Sequence, residues 1–322
     1  MGISVVVPVY NSAACMAELL ARLAVVLERS SESYEVILVN DGSHDRSWEI
    51  LCQLSSQYPW VRAIDLMRNY GQHNALLCGI RAADHDIVVT MDDDLQHPPE
   101  EIPKLLAKLD EGYDVVYGTP QQEQHGLWRD MASRVTKMVL QSAMGSATAR
   151  SASAFRAFRT MARNAFAGYH APYVSVDVLL TWATTRFAAV SVIHHPRAAG
   201  PSNYTVGKLI RHAINMMTGF STLPLQVASL LGFAFTLFGL GVLAFVVLRF
   251  LLCGSGVPGF PFLASMLAIF SGVQLFSLGI IGEYLARMHF RMMDQPPYAV
   301  RQQTSGGSGA DPHEIRHREN GA

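Results

Sequence analysis

Five residues, Asp92-Asp93-Asp94-Leu95-Gln96, follow the apolar run 87–91 and precede His97-Pro98-Pro99-Glu100. Three consecutive carboxylates at the end of a buried strand repel one another unless positive charge lies between them, and a divalent cation is its natural source. Carboxylate and carboxamide oxygens are hard ligands. On alternate positions of an extended segment, Asp92, Asp94 and Gln96 suit Mg²⁺ or Mn²⁺, with substrate phosphates completing the shell. The other reading of these residues is an acidic, solvated loop between a strand and a helix.

The flanking chain must position them. Residues 3–9 are a β-branched run checked by Pro8 and the turn former Asn11, and residues 14–29 then carry helical spacing. The pattern recurs as strand 35–40, turn Asp41-Gly42-Ser43, helix 47–58, strand 61–66, helix 72–83 and strand 87–91. A helix from near Pro99 and a strand at 114–117 follow. Apolar strands alternating with helices predict an α/β fold with a mostly parallel central sheet covered on both faces. Ligands of such sheets bind outside the carboxyl ends of the strands, which brings Pro8-Val9-Tyr10-Asn11, Asp41-Gly42-Ser43 and 92–96 to one rim. With a nucleotide across that rim, Tyr10 could hold the base and Asp41 could accept from a base N–H or ribose hydroxyl. The diphosphate would meet the metal near Asp94. Turn chemistry alone also favours Asn11 and Asp41 at these positions.

Segments Val5-Val6-Val7-Pro8-Val9-Tyr10-Asn11, Val39-Asn40-Asp41-Gly42-Ser43, Arg68-Asn69-Tyr70-Gly71-Gln72 and 91–100 resemble, in order and spacing, the successive motifs of family-two inverting glycosyltransferases. The closest branch is the polyprenyl-phosphate glycosyltransferases, of the dolichyl-phosphate mannose synthase kind, and the likeness runs from about residue 3 to residue 300. It implies a GT-A fold and a nucleotide-sugar donor held by Pro8, Tyr10, Asn11, Asp41, Asp92 and Asp93. It also implies Mg²⁺ or Mn²⁺ bound through Asp92, Asp94 and Gln96. Where the family usually has an acidic residue before Asp41, a glutamate after Asn11 and an arginine after the strand ending at Gly118, this chain has Asn40, Ser12 and Thr119.

The acceptor side follows from the same likeness. Ser153-Ala154-Phe155-Arg156 is similar to the family's Ser-Gly-Phe-Arg segment, and residues 197–204 match its Arg-x-x-Gly-x-Ser-x-Tyr motif through Arg197, Gly200, Ser202 and Tyr204. Arg129 and Ser133, four apart on an expected helix 127–144, present a cation and a hydroxyl on one face. Arginine forks suit phosphate oxygens, so Arg129, Ser133, Arg156, Arg197, Ser202 and Tyr204 are the expected lipid-phosphate contacts, with Asp92, Asp94 and Arg156 at the reacting centre. A sugar-hydroxyl acceptor needs a general base, whereas a phosphate acceptor is already anionic. Residues 150–159 contain no Asp or Glu, which favours a phosphate acceptor. Asp177 is the carboxylate that would serve a hydroxyl acceptor on a lipid-linked glycan.

A lipid acceptor predicts membrane contact. Residues 206–218 place Leu209, Ile210, Ala213, Ile214, Met216 and Met217 among Lys208, Arg211 and His212, as in an interfacial amphipathic helix. Residues 227–248 and 262–281 are uncharged and long enough to cross a bilayer. Lys208 and Arg211 before the first span, with Arg287 and Arg291 after the second, orient both chain ends to the cytosol and place the protein in the cell (inner) membrane. The expected organisation is a catalytic domain 1–205, an interfacial helix 206–222, a two-span region 223–288 and a cytosolic tail 289–322, disordered after about 302. Net charge −1 and no basic stripe give no support for nucleic acid. Scattered Cys15, Cys52, Cys78 and Cys253 read as small buried hydrophobes in a reducing compartment. Two spans are too few for a transport path within one chain, so product flipping would need another protein or a homo-oligomer. A reading of another class is a non-catalytic membrane scaffold or transport accessory that keeps the fold.

Overall fold

A computed structural model describes residues 1–120, 152–171, 174–195, 223–253, 259–292 and 296–304. They fall into two compact units, one within Met1–Thr205 and Asp294–Ala322, the other within Val206–Met293.

The first unit is built on an eight-stranded sheet of order β7-β5-β6-β4-β1-β2-β3-β8. Its strands are β1 (Ile3–Val9), β2 (Tyr34–Asn40), β3 (Val61–Leu66), β4 (Ile87–Thr90), β5 (Val115–Pro120), β6 (Arg156–Arg159), β7 (Phe187–Val192) and β8 (Val300–Gln303). Helices α1 (Met16–Ser30), α2 (Ser47–Gln57), α3 (Gln72–Ala82), α4 (Ile102–Asp110) and α5 (Val176–Ala183) belong to the same unit, and a 3₁₀ turn at Pro99–Glu101 leads into α4. Strands β3, β2, β1 and β4 are parallel neighbours, as expected. The sheet as a whole is mixed: six of its eight strands run in one direction, in keeping with a mostly parallel sheet, and two run against them. Strand β6 is inserted antiparallel between β4 and β5, and β8 pairs antiparallel with the edge strand β3.

The hydrophobic pattern accounts for this arrangement. All seven residues of β1 are buried, which fits a central strand covered on both faces. Helix α1 buries Met16, Leu19, Leu20, Leu23, Val26 and Leu27, a 3.6-residue stripe in which each large side chain contributes about 1.5–3 kcal/mol relative to exposure. Pro8 does not end β1, because β1 goes on pairing with β2 through Val9, whose carbonyl accepts the Asp41 N–H. On the other side Met91 N–H donates to the Val6 carbonyl, and the β1–β4 pairing stops there, where Pro8 has no N–H to continue it.

On α3, Gly79 packs directly over β1. A Cβ there would lie 2.3 Å from Val6 Cγ1 and 3.2 Å from Val39 Cγ2. Gly79→Ala is therefore expected to cost about 1–3 kcal/mol through overpacking, read as a lowered urea midpoint. An unchanged midpoint would mean that α3 sits farther from the sheet.

Residues 296–304, read from the sequence as part of a tail, are integral to this first unit. Met67 N–H donates to the Ala299 carbonyl, and Thr304 and Ala63 exchange N–H bonds. The Tyr298 ring lies beneath Arg81 at 5.8 Å. Cys78, 3% exposed, is a buried thiol whose pKa is pushed up to about 12 by burial, in keeping with a structural hydrophobe.

The second unit contains two helices, α6 (Leu223–Cys253, 31 residues) and α7 (Phe260–Met292, 33 residues), both longer than the apolar runs within them. Windows Leu225–Val242 and Ile269–Ala286 are long and apolar enough to cross a membrane and are 6% and 0% buried. Large apolar side chains such as Leu230, Phe233, Phe245, Leu275 and Phe276 are exposed. The helices meet at Gly239, where a Cβ would lie 3.2 Å from the Phe270 ring, and Phe235 contacts Phe270 edge-on at 6.1 Å. A Cβ at Gly232, Gly272, Gly279 or Gly282 would meet nothing within 4 Å. The amphipathic segment 206–218 and the residues after 304 lie outside the described residues.

Candidate active site

The three polar loops expected on one rim are hydrogen-bonded to one another there. After β1, Tyr10 N–H donates to Asp93 Oδ2 at 3.1 Å. Asn11 takes the left-handed conformation, φ 54°, and bridges to the loop after β2. Its N–H donates to Ser43 Oγ at 3.0 Å and its Oδ1 accepts His44 N–H at 2.8 Å. Asparagine tolerates that backbone better than most residues, so it is suited to this loop by strain as well as by bonding. Ser12 N–H donates to Ser47 Oγ at the start of α2, and the ring of Tyr10, 38% exposed, stands edge-on to His44.

Asp41 is not turned outward to meet a ribose. It is 3% exposed, and its two oxygens accept the N–H groups of Tyr70 (2.7 Å) and Gly71 (2.9 Å) ahead of α3. Burial raises its pKa against these two bonds. Gly42 beside it has φ +65°, and a Cβ there would fall 2.5 Å from Asn69 N and 2.6 Å from Arg68 C. Only glycine fits so close an approach with that backbone. Asp41 and Gly42 thus fasten the β2 loop to the loop after β3.

The acidic segment is a turn, which corrects the extended geometry from which alternate ligands were argued. Strand β4 stops at Thr90, Asp94 Oδ1 accepts Gln96 N–H at 3.1 Å, and the buried Leu95 is held at φ 60°, a costly conformation for leucine. The Gln96 carbonyl accepts His195 N–H at 2.8 Å, tying the turn to the chain after β7. Asp92 Oδ1 accepts Gln72 Nε2 at 2.6 Å. Burial raises the pKa of Asp93, and the adjacent Asp94 adds to that rise against the bonds from Ser12 and Tyr10. His97, 7% exposed, stacks on Phe155 at 5.3 Å and meets His194 at 4.8 Å. Burial and His194 lower its pKa to about 4, and its Nδ1 has no hydrogen-bond partner among the described residues. Among the described residues no group of three or more His, Cys, Asp or Glu forms a metal cage. Two carboxylates on a turn, all-oxygen and incomplete, are what an Mg²⁺- or Mn²⁺-type ion completed by phosphates requires, so the residues present fit such an ion.

Beneath this turn lies a buried polar cluster. Arg156 opens β6 in register with Thr90 and Tyr117, is 1% exposed, and donates through Nε to Thr90 Oγ1 at 3.0 Å. Its Nη1 is paired with Asp177 Oδ1, which also accepts the Tyr117 hydroxyl at 3.1 Å. Burial and Asp177 raise the Tyr117 pKa well above its usual value. Arg156 therefore does not face a lipid phosphate in this arrangement, and Asp177 is occupied rather than poised as a base. Arg129, Ser133, Arg197, Ser202 and Tyr204 lie outside the described residues. Thr119 donates its hydroxyl to the Val190 carbonyl and is a sheet residue.

A cavity of about 390 Å³ opens beside the β2 loop, lined by Asn40, Gly42, Trp48, Asp65, Arg68 and Arg301 among others. Its volume falls in the range of small-molecule sites. Sequence reasoning did not select Asp65 or Arg301. A carboxylate in the apolar half of strand 61–66, after Arg62, was the signal for the first, and the second lies in a polar stretch without periodicity.

The fold resembles that of solved glycosyltransferases. Glucosyl-3-phosphoglycerate synthase from Mycobacterium tuberculosis, in complex with Mn²⁺, UDP-glucose and phosphoglyceric acid, superposes with a TM-score of 0.52 at 18% identity, covering 67% of this chain and 77% of that one. The same enzyme with Mn²⁺, UDP-glucose and glycerol 3-phosphate gives a TM-score of 0.52 at 18% identity, with 67% and 78% covered. At that identity the likeness is one of fold. The sequence itself carries the assignment further: residues 4–166, half of the 322-residue chain, match one family, and the chain belongs to glycosyl transferase family 2.

Proposed function

We propose that this protein transfers a sugar, with inversion, from a nucleotide-sugar to a polyprenyl phosphate at the cytosolic leaflet of the cell membrane. The observation that carries the reading is the hydrogen-bonded convergence of the loops after β1, β2 and β4 at the carboxyl ends of the sheet. Structural neighbours crystallised with Mn²⁺ and a UDP-sugar are consistent with a divalent metal cofactor and a nucleotide-sugar donor. Asp92 and Asp94, with Gln96, are the residues that would hold the metal. When bound, it would neutralise charge on the leaving diphosphate.

Tyr10 and Asn11 border the donor on one side of the rim, and the cavity beside Asn40 and Gly42 suits its nucleoside. An anionic phosphate oxygen attacks the anomeric carbon, a C–O bond forms to the phosphate, and the bond to the nucleoside diphosphate breaks on the opposite face. No proton need be removed. The engagement of Asp177 by Arg156 and Tyr117 favours this phosphate acceptor over a hydroxyl acceptor, which would need a free base. In this reading α6 and α7 span the bilayer, residues 206–222 lie at its surface, residues 1–205 are catalytic, and both termini are cytosolic.

The test is transfer of radiolabelled sugar from UDP-, GDP- and dTDP-sugars to polyprenyl phosphate in detergent, with Mn²⁺ or Mg²⁺ and with EDTA. The expected product is organic-extractable, labile to mild acid and lost with EDTA. Extension of a lipid-linked glycan with no labelling of polyprenyl phosphate would overturn the acceptor. Absence of transfer from every donor would favour a non-catalytic accessory.

A further inference from the structure

The donor rim is supported from below by a polar chain that ends outside residues 4–166. Asn40, the last residue of β2, is 2% exposed and lies in register with Asp65 of β3. Its Nδ2 donates to Asp65 Oδ1 at 2.7 Å, and its Oδ1 accepts the Ser43 N–H at 3.4 Å. Asp65, also 2% exposed, presents its other oxygen to Arg301 Nη1 at 3.4 Å, and Arg301 Nη2 donates to the Met67 carbonyl at 2.8 Å. The β3–β8 register shifts between Asp65 and Leu66, beside this contact. Arg301 is brought here by β8, which follows the two apolar helices in the chain.

We infer that Arg301 is a positioning residue for the donor nucleotide, acting through Asp65 and Asn40 on the loop that carries Asp41, Gly42 and Ser43. The inference rests on the nucleotide-sugar reading above and extends it to a part of the chain outside the family match. A carboxylate as buried as Asp65 is costly unless its charge is compensated, and among the described residues Arg301 is the cation paired with it. By accepting from Nδ2, the Asp65 carboxylate fixes Asn40 with its NH₂ inward and its carbonyl toward Ser43. Without Arg301 the buried carboxylate is left without its cation, so it swings toward water and releases Asn40, which can then turn over. Its NH₂ would then confront the Ser43 N–H, two donors face to face, and the turn at Gly42 would lose its support. Because Asn40, Asp65 and Arg301 also line the 390 Å³ cavity, that relaxation is felt where the nucleotide lies. The arm after the membrane hairpin is thus a working part of the donor site.

The experiment uses the full chain in detergent and measures binding of UDP, GDP and dTDP by calorimetry alongside thermal midpoint. Arg301→Gln is compared with Thr304→Val on the same arm, whose hydroxyl contacts Ala63 and not Asp65. Arg301→Gln is expected to weaken the nucleotide that the unmodified protein prefers by about tenfold, the scale of one charge-assisted hydrogen bond. Thr304→Val should lower the midpoint while leaving binding unchanged. The double change Asp65→Asn with Arg301→Gln keeps an acceptor for Asn40 without a buried charge, and should recover most of the affinity. Arg301→Gln binding as tightly as the unmodified protein, or a double variant no tighter than Arg301→Gln, would overturn the inference alone. Failure of the unmodified protein to bind any of the three diphosphates would instead remove the donor-site reading, and this inference with it.

Discussion

Replacing Arg156 with methionine is expected to lower the unfolding free energy by about 3–5 kcal/mol, because the change strands a mostly buried carboxylate. Asp177 is 14% exposed and shares one oxygen between Arg156 and the Tyr117 hydroxyl, so loss of the guanidinium leaves a charge with one neutral donor. Thr90 loses the Nε donor at the same time, at the last position of β4. Removing both charges in Arg156→Met with Asp177→Leu should restore most of the stability, since apolar replacement of a whole buried pair is often neutral or better. The measurement is the urea midpoint of the full chain in detergent for the two single variants and the double. A solvent-facing, phosphate-binding Arg156 would behave otherwise: the single change would abolish transfer with the midpoint unmoved, and the double change would give no rescue.

Arg156 also marks the boundary of what the sequence can tell. The likeness in Ser153 to Arg156 identified a special arginine, but its neighbours are set by the insertion of β6 antiparallel between β4 and β5. No local pattern in four residues announces that placement. The parallel half was legible because its strands 3–9, 35–40, 61–66 and 87–91 are largely apolar runs separated by amphipathic helices, and periodicity depends only on near neighbours. Gathering the three loops on one rim followed from strand direction. The use made of each side chain did not: Asp41 spends both oxygens on Tyr70 and Gly71, and Leu95 accepts a left-handed backbone that no hydrophobic pattern encodes. Residues 296–304 were hidden for a related reason. A four-residue exposed edge strand such as β8 needs no hydrophobic alternation, and its partner β3 is more than 230 positions away in the chain.

The largest catalytic effect is expected at Asp94. Its Oδ1 accepts the Gln96 N–H across the strained Leu95, a bond that an asparagine oxygen at the same place can also accept. Asp94→Asn should therefore keep the turn, and the thermal midpoint should move by no more than about 1–2 °C, as for a change that leaves bonding and packing in place. What it removes is charge at the point where the donor diphosphate departs, and loss of one such stabilising group lowers kcat/KM by about 10²–10³-fold. Asp93 is the internal comparison. It is half-buried, desolvation raises its pKa, and it accepts the Tyr10 N–H, so it fastens the β1 loop rather than presenting charge. Asp93→Asn can keep that acceptor and should lower kcat/KM by only about tenfold or less, the scale of one weakened hydrogen bond. Steady-state transfer assays on the two variants, with thermal midpoints measured in parallel, separate the roles. Equal losses at Asp93 and Asp94, or a collapse in midpoint for Asp94→Asn, would assign the acidic turn to architecture and leave the charge at the reacting centre to be sought on another element.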